Sequence, residues 1–309
     1  MYPRHFDGKR FFNPDAPQAR GFLDLLRWKL TSRPESSARF VSDVEPTKPP
    51  PCVEGSELRV TLINHSTVLL QQGGINILTD PVWSDRVSPV GFAGPRRKRD
   101  PGVRWEDLPP IHAVLLSHNH YDHLDLASLR RLGGSCQFIV PAGVGRLLRS
   151  QRIGPVQEMD WGDSLPLSGA TIHSVPALHF SARGLLDRNR TLWCGFVIEH
   201  AGRIVYFAGD TSFGDHFTRL RERFGAPRVA LLPIGAYEPR WFMSPVHMGP
   251  EEAVKAHGIL GAGTSIAIHH GTFQLADEGI DEPKRRLSEC APHDSFLALN
   301  NGQSVTIPL

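Results

Sequence analysis

The run SHNHYDHLD constrains this chain more than any other stretch. It sets His118, His120, Asp122 and His123 within six residues, directly after the apolar segment AVLL. Imidazole nitrogens and carboxylate oxygens are common donors to divalent cations. Four such groups packed together would leave buried polar atoms unsatisfied unless an ion were shared among them. If AVLL is a strand, alternate side chains at its end point the same way, so His118 and His120 are expected to grip one ion. The turn that follows then aims Asp122 and His123 at a neighbouring point. A two-ion site needs further donors on the same edge of the sheet.

From residue 57 the sequence reads as short apolar strands, among them ELRVTLINH, HAVLLSH, CQFIVP, CGFVIEHAGRIVYFAGD, RVALLPIG and TSIAIHHG. Helical stretches such as LDLASLRRL, AGVGRLLRSQ, FTRLRERF and PEEAVKAHGIL lie between them, so an α/β layered domain is expected. TVLLQQGGINILTDP, turning at Gly73 and Gly74, predicts a hairpin and hence some antiparallel pairing. No G-x-G-x-x-G follows a strand, which argues against a dinucleotide-binding sheet. His179, Asp210 and His269 each fall at or just beyond a strand. Taken singly, each reads more readily as a cap or a core polar group. Beside the histidine-rich run they read as the remainder of one site, with Asp210 offering one oxygen to each of two cations.

Composition narrows the function classes. Lys and Arg number 34 against 32 Asp and Glu, a net charge of +2, which argues against a polyanion-binding surface over the whole protein. The cysteines, Cys52, Cys136, Cys194 and Cys290, are too scattered for a thiolate zinc cluster or a disulfide framework, so a reduced, cytoplasmic setting is expected. The amino terminus lacks the apolar core of a secretory signal. Residues 1–56 read as a separate segment ahead of a main domain at 57–309. Within it, GFLDLLRWKL places Phe22, Leu23, Leu26 and Leu30 on one helical face, with Asp24 and Arg27 opposite. The Pro- and Ser-rich stretch 34–51 reads as a strap. The preferred reading has the helix packing on the domain behind it. The alternative is peripheral contact with the inner membrane face through residues 20–30, favoured by Trp28 and the flanking basic residues.

The H-x-H-x-D-H run followed by a distant His, Asp and His resembles the metallo-β-lactamase superfamily. That resemblance implies an αββα sandwich of two mixed sheets flanked by helices. NHSTVLL, ILTDPVWSDRVSP, GPRRKR, VYFAGDT, RFGAPRVALLPIGAYEPRWFM, HMGPEEAV and IAIHHGTFQLADE, spread over residues 61–282, are similar to the branch of N-acyl-phosphatidylethanolamine-hydrolysing phospholipases D and their bacterial relatives. PIGAYEPRWFM with HMGPEEAV is the most specific part.

The resemblance implies two divalent ions. One is held by His118, His120 and His179, the other by Asp122, His123 and His269, with Asp210 shared. Zinc is the preferred ion for these donors, with Mn2+ or Fe2+ as alternatives. His269 matches the motif better than His270, although a register shift would present the neighbouring imidazole. The implied reaction is phosphodiester hydrolysis of N-acyl-phosphatidylethanolamine-like lipids or another small phosphodiester by a metal-bridging hydroxide, with Asp210, Asp122 and His247 in catalytic roles. His247, near its ordinary pKa, is expected to protonate the leaving group or hold the phosphate. Val246 stands where a relative has glutamine. Alternatives are a lactone or ester hydrolase with weak β-lactam opening, and a non-catalytic metal-binding sensor. A homodimer is weakly implied. Nucleic acid is not expected as a partner, since four basic residues in GPRRKR make too short a track. That run reads as a solvated charge cluster or a headgroup contact. Asp80 reads as an acceptor for a ligating imidazole or a turn cap, and His65 as a neighbour of the metals or a buried structural histidine.

Overall fold

The strands that carry the histidine-rich loops belong to two mixed sheets in this computed structural model, which describes residues 4–308 except 15, 16, 18, 37–39, 42, 185 and 293. Positions 37–39 and 42 of the expected strap, and residues 1–3 of the amino terminus, lie outside the described residues. The first sheet takes β1 (Leu58–Asn64), β2 (Thr67–Gln72), β3 (Ile75–Thr79), β4 (Ala113–Leu115), β5 (Gln137–Pro141) and β6 (Val156–Met159) in that order. The second takes β7 (Ser164–Leu167), β8 (Ala170–Val175), β9 (Gly195–His200), β10 (Arg203–Phe207), β11 (Val229–Pro233), β12 (Thr264–Ile268) and β13 (Phe296–Leu297). A last strand, β14 (Ser304–Ile307), returns to pair with β1.

Both sheets follow one plan. From β14 to β3 and from β7 to β10 the pairing is antiparallel, and from β3 to β6 and from β10 to β13 it is parallel. The parallel halves of both sheets supply the loops that carry most of the candidate ligands.

Strand alternation builds three apolar layers. Val60, Leu62, Val68, Leu70, Ile77 and Leu115 of the first sheet meet Phe196, Ile198, Phe207, Leu231, Ile266 and Ile268 of the second. Their outward neighbours Leu69, Leu78, Val114 and Phe138 are also buried. Strands covered on both faces read as continuous apolar runs, which explains AVLL and VALLP. After α1 (Phe22–Thr31), the first sheet is covered by α2 (Leu126–Leu132) and α3 (Val144–Ser150). The second is covered by α4 (His216–Phe224), and, after the short α5 (Arg240–Met243), by α6 (Pro250–Leu260) and α7 (Glu282–Cys290). The result is the expected αββα sandwich.

The segment before β1 lies against this sandwich at several points. Phe11 enters the central core, His5 stacks on Trp161 at 4.3 Å, and Thr47 N–H donates to Gly102 O at 2.8 Å. The preferred reading of α1, that it packs on the domain behind it, holds, but through another face. Trp28 is its buried residue, stacked on Phe242 and donating Nε1–H to Asp277 at 3.0 Å. The expected packing face points outward instead, with Phe22, Leu23 and Leu30 each more than 70% exposed and Leu26 47%. Periodicity located the apolar stripe, but one indole with a hydrogen-bond partner decided which side docks. No helix among the described residues is long and apolar enough to cross a membrane.

Candidate metal centre

The candidate ligands converge at one edge of the sandwich, on loops that begin where the strands stop. β4 ends at Leu115, so His118 and His120 lie in the loop beyond it rather than on alternating strand positions. They meet because they present different nitrogens, His118 Nε2 and His120 Nδ1, 2.8 Å apart. His179 Nε2 lies 3.2 Å from the same His120 Nδ1. Beside this trio, His123 Nε2 and His269 Nε2 stand 3.2 and 3.3 Å from Asp122 Oδ2. Asp210 Oδ2 lies between the groups, 3.1 Å from both His123 and His269, 3.9 Å from His118 and 3.8 Å from His179. His269 therefore sits in the cluster, whereas His270 is buried outside it.

These separations fit divalent cations better than hydrogen bonds. Ligands about 2.0–2.1 Å from a tetrahedral ion stand about 3.3 Å from one another. His123 Nε2 approaches two carboxylates yet has no hydrogen-bond partner, and Asp210 Oδ1 is buried without one. An uncompensated buried carboxylate costs several kcal/mol, which a shared cation offsets. The donor set of imidazole and carboxylate suits zinc, manganese or iron alike.

A chain of protons fixes which nitrogen faces the centre. Ser117 Oγ–H donates to Asp80 Oδ2 at 2.5 Å, so its oxygen is left to accept from His118 Nδ1–H at 2.9 Å. His123 Nδ1–H donates to the same Asp80 oxygen at 2.6 Å, and His179 Nδ1–H to Val246 O at 2.9 Å. In each ring Nε2 is left as a lone-pair donor, the form a metal binds. Asp80 thus orients one imidazole of each group. At Val246 the backbone carbonyl does the holding, so this contact does not depend on the side chain there.

Burial pushes His118 well below the ordinary imidazole pKa, His120 to about 3 and His179 to about 4, so all three are neutral donors at pH 7. Burial also acts on His123 and His269, but there the neighbouring carboxylates, Asp210 foremost, outweigh it; both rise, His269 to about 9. Burial likewise opposes ionisation of Asp122 and Asp210, yet the adjacent imidazoles hold both well below the usual carboxylate range. His247, with Nδ1 4.0 Å from Asp210 Oδ2, corrects the expectation of an ordinary pKa: burial drives it well below. Burial thus favours its neutral form.

Close approach requires glycine at two positions. A Cβ on Gly209, whose φ is +61°, would lie 2.6 Å from Ser117 Cβ, and one on Gly235 would lie 2.1 Å from His269 O. Other contributors carried no signal in the sequence. Asn13 Nδ2–H donates to His179 O at 2.9 Å from 166 residues away and is itself held by Trp193 Nε1–H. Glu278 accepts backbone N–H groups of Ala236, Tyr237 and Glu238, and Arg240 donates to His247 O, so PIGAYEPR is a braced loop that places His247. The reading of GPRRKR as a solvated cluster or headgroup contact is corrected for Arg97 and Arg99, while Arg96 stays exposed in a solvated pair. Arg97 is 4% exposed and donates to three backbone carbonyls, Arg99 pairs with Asp43 and Asp281, and Arg96 pairs with Asp85.

Because Asp80 orients His118 and His123 together, Asp80→Asn is expected to weaken binding of both ions by about 10- to 100-fold. Elemental analysis after dialysis against limiting metal checks this. Unchanged content would mean that Asp80 is only a turn cap.

Comparisons with known proteins agree with this geometry. The profile of the beta-lactamase superfamily domain matches residues 75–270. The chain is 41% identical over 248 residues to N-acyl-phosphatidylethanolamine-hydrolyzing phospholipase D 1 of Caenorhabditis elegans, covering 76% of this chain and 70% of that one. It is 40% identical over 302 residues to an uncharacterized protein of Mycobacterium tuberculosis, covering 94% and 80%. Among solved structures, the isothiocyanate hydrolase from Delia radicum gut bacteria superposes with a TM-score of 0.66 at 24% identity, over 80% of this chain and 98% of the other. The chain belongs to the metallo-β-lactamase superfamily, as a metal-dependent hydrolase with a His/Asp metal site.

Proposed function

We propose that the protein is a phospholipase D-type phosphodiesterase acting on N-acyl-phosphatidylethanolamine-like lipids. The observation that carries this reading is its 41% identity, over 76% of the chain, to a protein named for that activity. The reaction adds water at phosphorus and breaks the bond to the N-acylethanolamine oxygen, giving phosphatidic acid and the free N-acylethanolamine. His118, His120 and His179 would hold one divalent ion and Asp122, His123 and His269 a second, with Asp210 available to both; such ions would supply activated water at neutral pH and offset charge on the phosphoryl oxygens.

The chain's own groups do the rest. Asp80 and Ser117 keep His118 and His123 in the metal-binding tautomer. His247, as a neutral imidazole beside Asp210, has one N–H to donate to a phosphoryl oxygen and so orients the substrate, rather than acting as the acid. Analysis of products by mass spectrometry, after incubating metal-loaded protein with N-acyl-phosphatidylethanolamine in mixed micelles, is expected to show phosphatidic acid and N-acylethanolamine from the parent and neither from Asp210→Ala. A two-ion parent that forms neither product but opens lactones or esters would replace this reading with the carbonyl hydrolase.

A lipid substrate calls for a surface that meets the bilayer, and we assign that contact to α1. Its outward stripe of Phe22, Leu23, Leu26 and Leu30 is exposed and flanked by Arg27 and Lys29. Arg188 donates to Ala19 O and Arg20 O, and Arg20 to Trp241 O, tying the start of α1 to the loop after His179 and to the helix before His247. Each such side chain contributes about 1.5–3 kcal/mol on full burial, enough together for peripheral binding without a span. Replacing Phe22, Leu26 and Leu30 together by serine is expected to lower turnover on vesicles by about tenfold or more, while a soluble short-chain phosphodiester is turned over as by the parent. Equal turnover on vesicles would remove α1 from the account.

A further inference from the structure

We propose that His65, at the turn between β1 and β2, is the positioning residue of the second ion, the one assigned to Asp122, His123 and His269. The inference rests on the two-ion reading of the centre. Three of the ligand imidazoles have their second nitrogen held: His118 by Ser117, His123 by Asp80 and His179 by Val246 O. His269 does not, since its Nδ1 is buried without a hydrogen-bond partner. Among the described residues, the side-chain donor to Asp122 other than the implied ligand imidazoles is His65, whose Nε2–H reaches its Oδ2 at 3.1 Å and which itself lies within the cluster.

His65 supports both ligands at once. Its ring packs on the His269 ring with centroids 4.2 Å apart, and its backbone oxygen accepts the His269 N–H at 2.9 Å. It is fixed in turn from behind. Thr272 Oγ1 accepts its backbone N–H at 3.0 Å, and its ring stands edge-on to Phe273 at 5.3 Å. His65 and His269 both have left-handed backbones, with φ of +46° and +58°. Such a conformation is strained for a residue with a Cβ and persists where the surroundings over-determine it. Here the two strained residues bind each other across the gap between the sheets.

The three carboxylate contacts divide by role. His123 and His269 are within 3.3 Å of Asp122 Oδ2 and also 3.1 Å from Asp210 Oδ2, so they face the shared point. Among the carboxylates of the described residues, His65 pairs with Asp122 alone. It therefore acts through Asp122 and His269. Without its N–H, Asp122 loses its donor from outside the ligand set; without its ring, His269 loses the nearest of the three imidazoles packed on it, those of His123 and His247 each lying 5.3 Å away. The first group, His118, His120 and His179, shares no hydrogen bond with His65. Removing His65 is thus a selective perturbation, in contrast to Asp80, which serves both groups.

The test is a cobalt(II) titration of the metal-free chain followed by visible absorption, with ion content from elemental analysis and thermal unfolding of the metal-free chain as the control for folding. The parent is expected to take up two ions. His65→Ala should bind the first with parental affinity and the second about 10- to 100-fold more weakly, and His65→Gln, which keeps an N–H donor, should recover part of the loss. If His65→Ala does not fold, His65→Phe retains a ring against His269 and removes only the donor; its second phase should weaken alone. Parental titration by the variants, or equal weakening of both phases with a lower unfolding midpoint, would overturn the inference. A parent that binds a single ion would instead bring down the two-ion reading on which it rests.

Discussion

Everything at the functional edge of this protein depends on keeping two carboxylates, Asp122 and Asp210, ionised inside a buried cluster of histidines. Burial opposes such charges, so they need positive neighbours, which the imidazoles of His123 and His269 supply and which a bound cation would supply in turn. The surroundings are arranged accordingly. His118, His123 and His179 donate their Nδ1 protons outward, to Ser117, Asp80 and Val246 O, and turn bare Nε2 atoms inward. Only the convergence of loops from both sheets makes this possible. β3 and β4 deliver Asp80 and the histidine-rich loop, while β10 and β12 deliver Asp210 and His269. The common pairing plan of the two sheets brings these strand ends to one edge.

The supports around this edge are of two kinds. Asp80 is shared by the two ligand groups, whereas Val246, Asn13 and His65 each serve one side. A further layer acts at longer reach. Glu278 braces the loop of residues 236–238, and Arg240 links that loop to His247. This explains why PIGAYEPRWFM is the most distinctive motif although it holds none of the candidate ligands. Its residues place the imidazole that faces Asp210 from the open side.

The sandwich and the ligand types were legible in the sequence because buried strands are continuous apolar runs and because few roles suit four clustered donors. What escaped has physical reasons. β6 and β7, with sequences VQEM and SLPL, are half-exposed and lack an apolar run. β13 has two residues, and α7 buries only Pro283 and Leu287 of its nine. Asn13 is chosen by a contact across 166 residues, which no local pattern encodes. The alternation argument for His118 and His120 failed since β4 ends too early, yet the two meet through different nitrogens. For α1 the stripe was visible but its direction was not, because Trp28 docks through Asp277 and Phe242, both more than 200 residues away.

The central claim is that Asp210 lies between two cations. X-ray absorption spectroscopy on metal-loaded parent protein, combined with elemental analysis, tests it most directly. The account predicts two ions per chain, about 3.5–4 Å apart, in mixed nitrogen and oxygen coordination. A single ion per chain, or two ions with no metal–metal scattering at that distance, would contradict it.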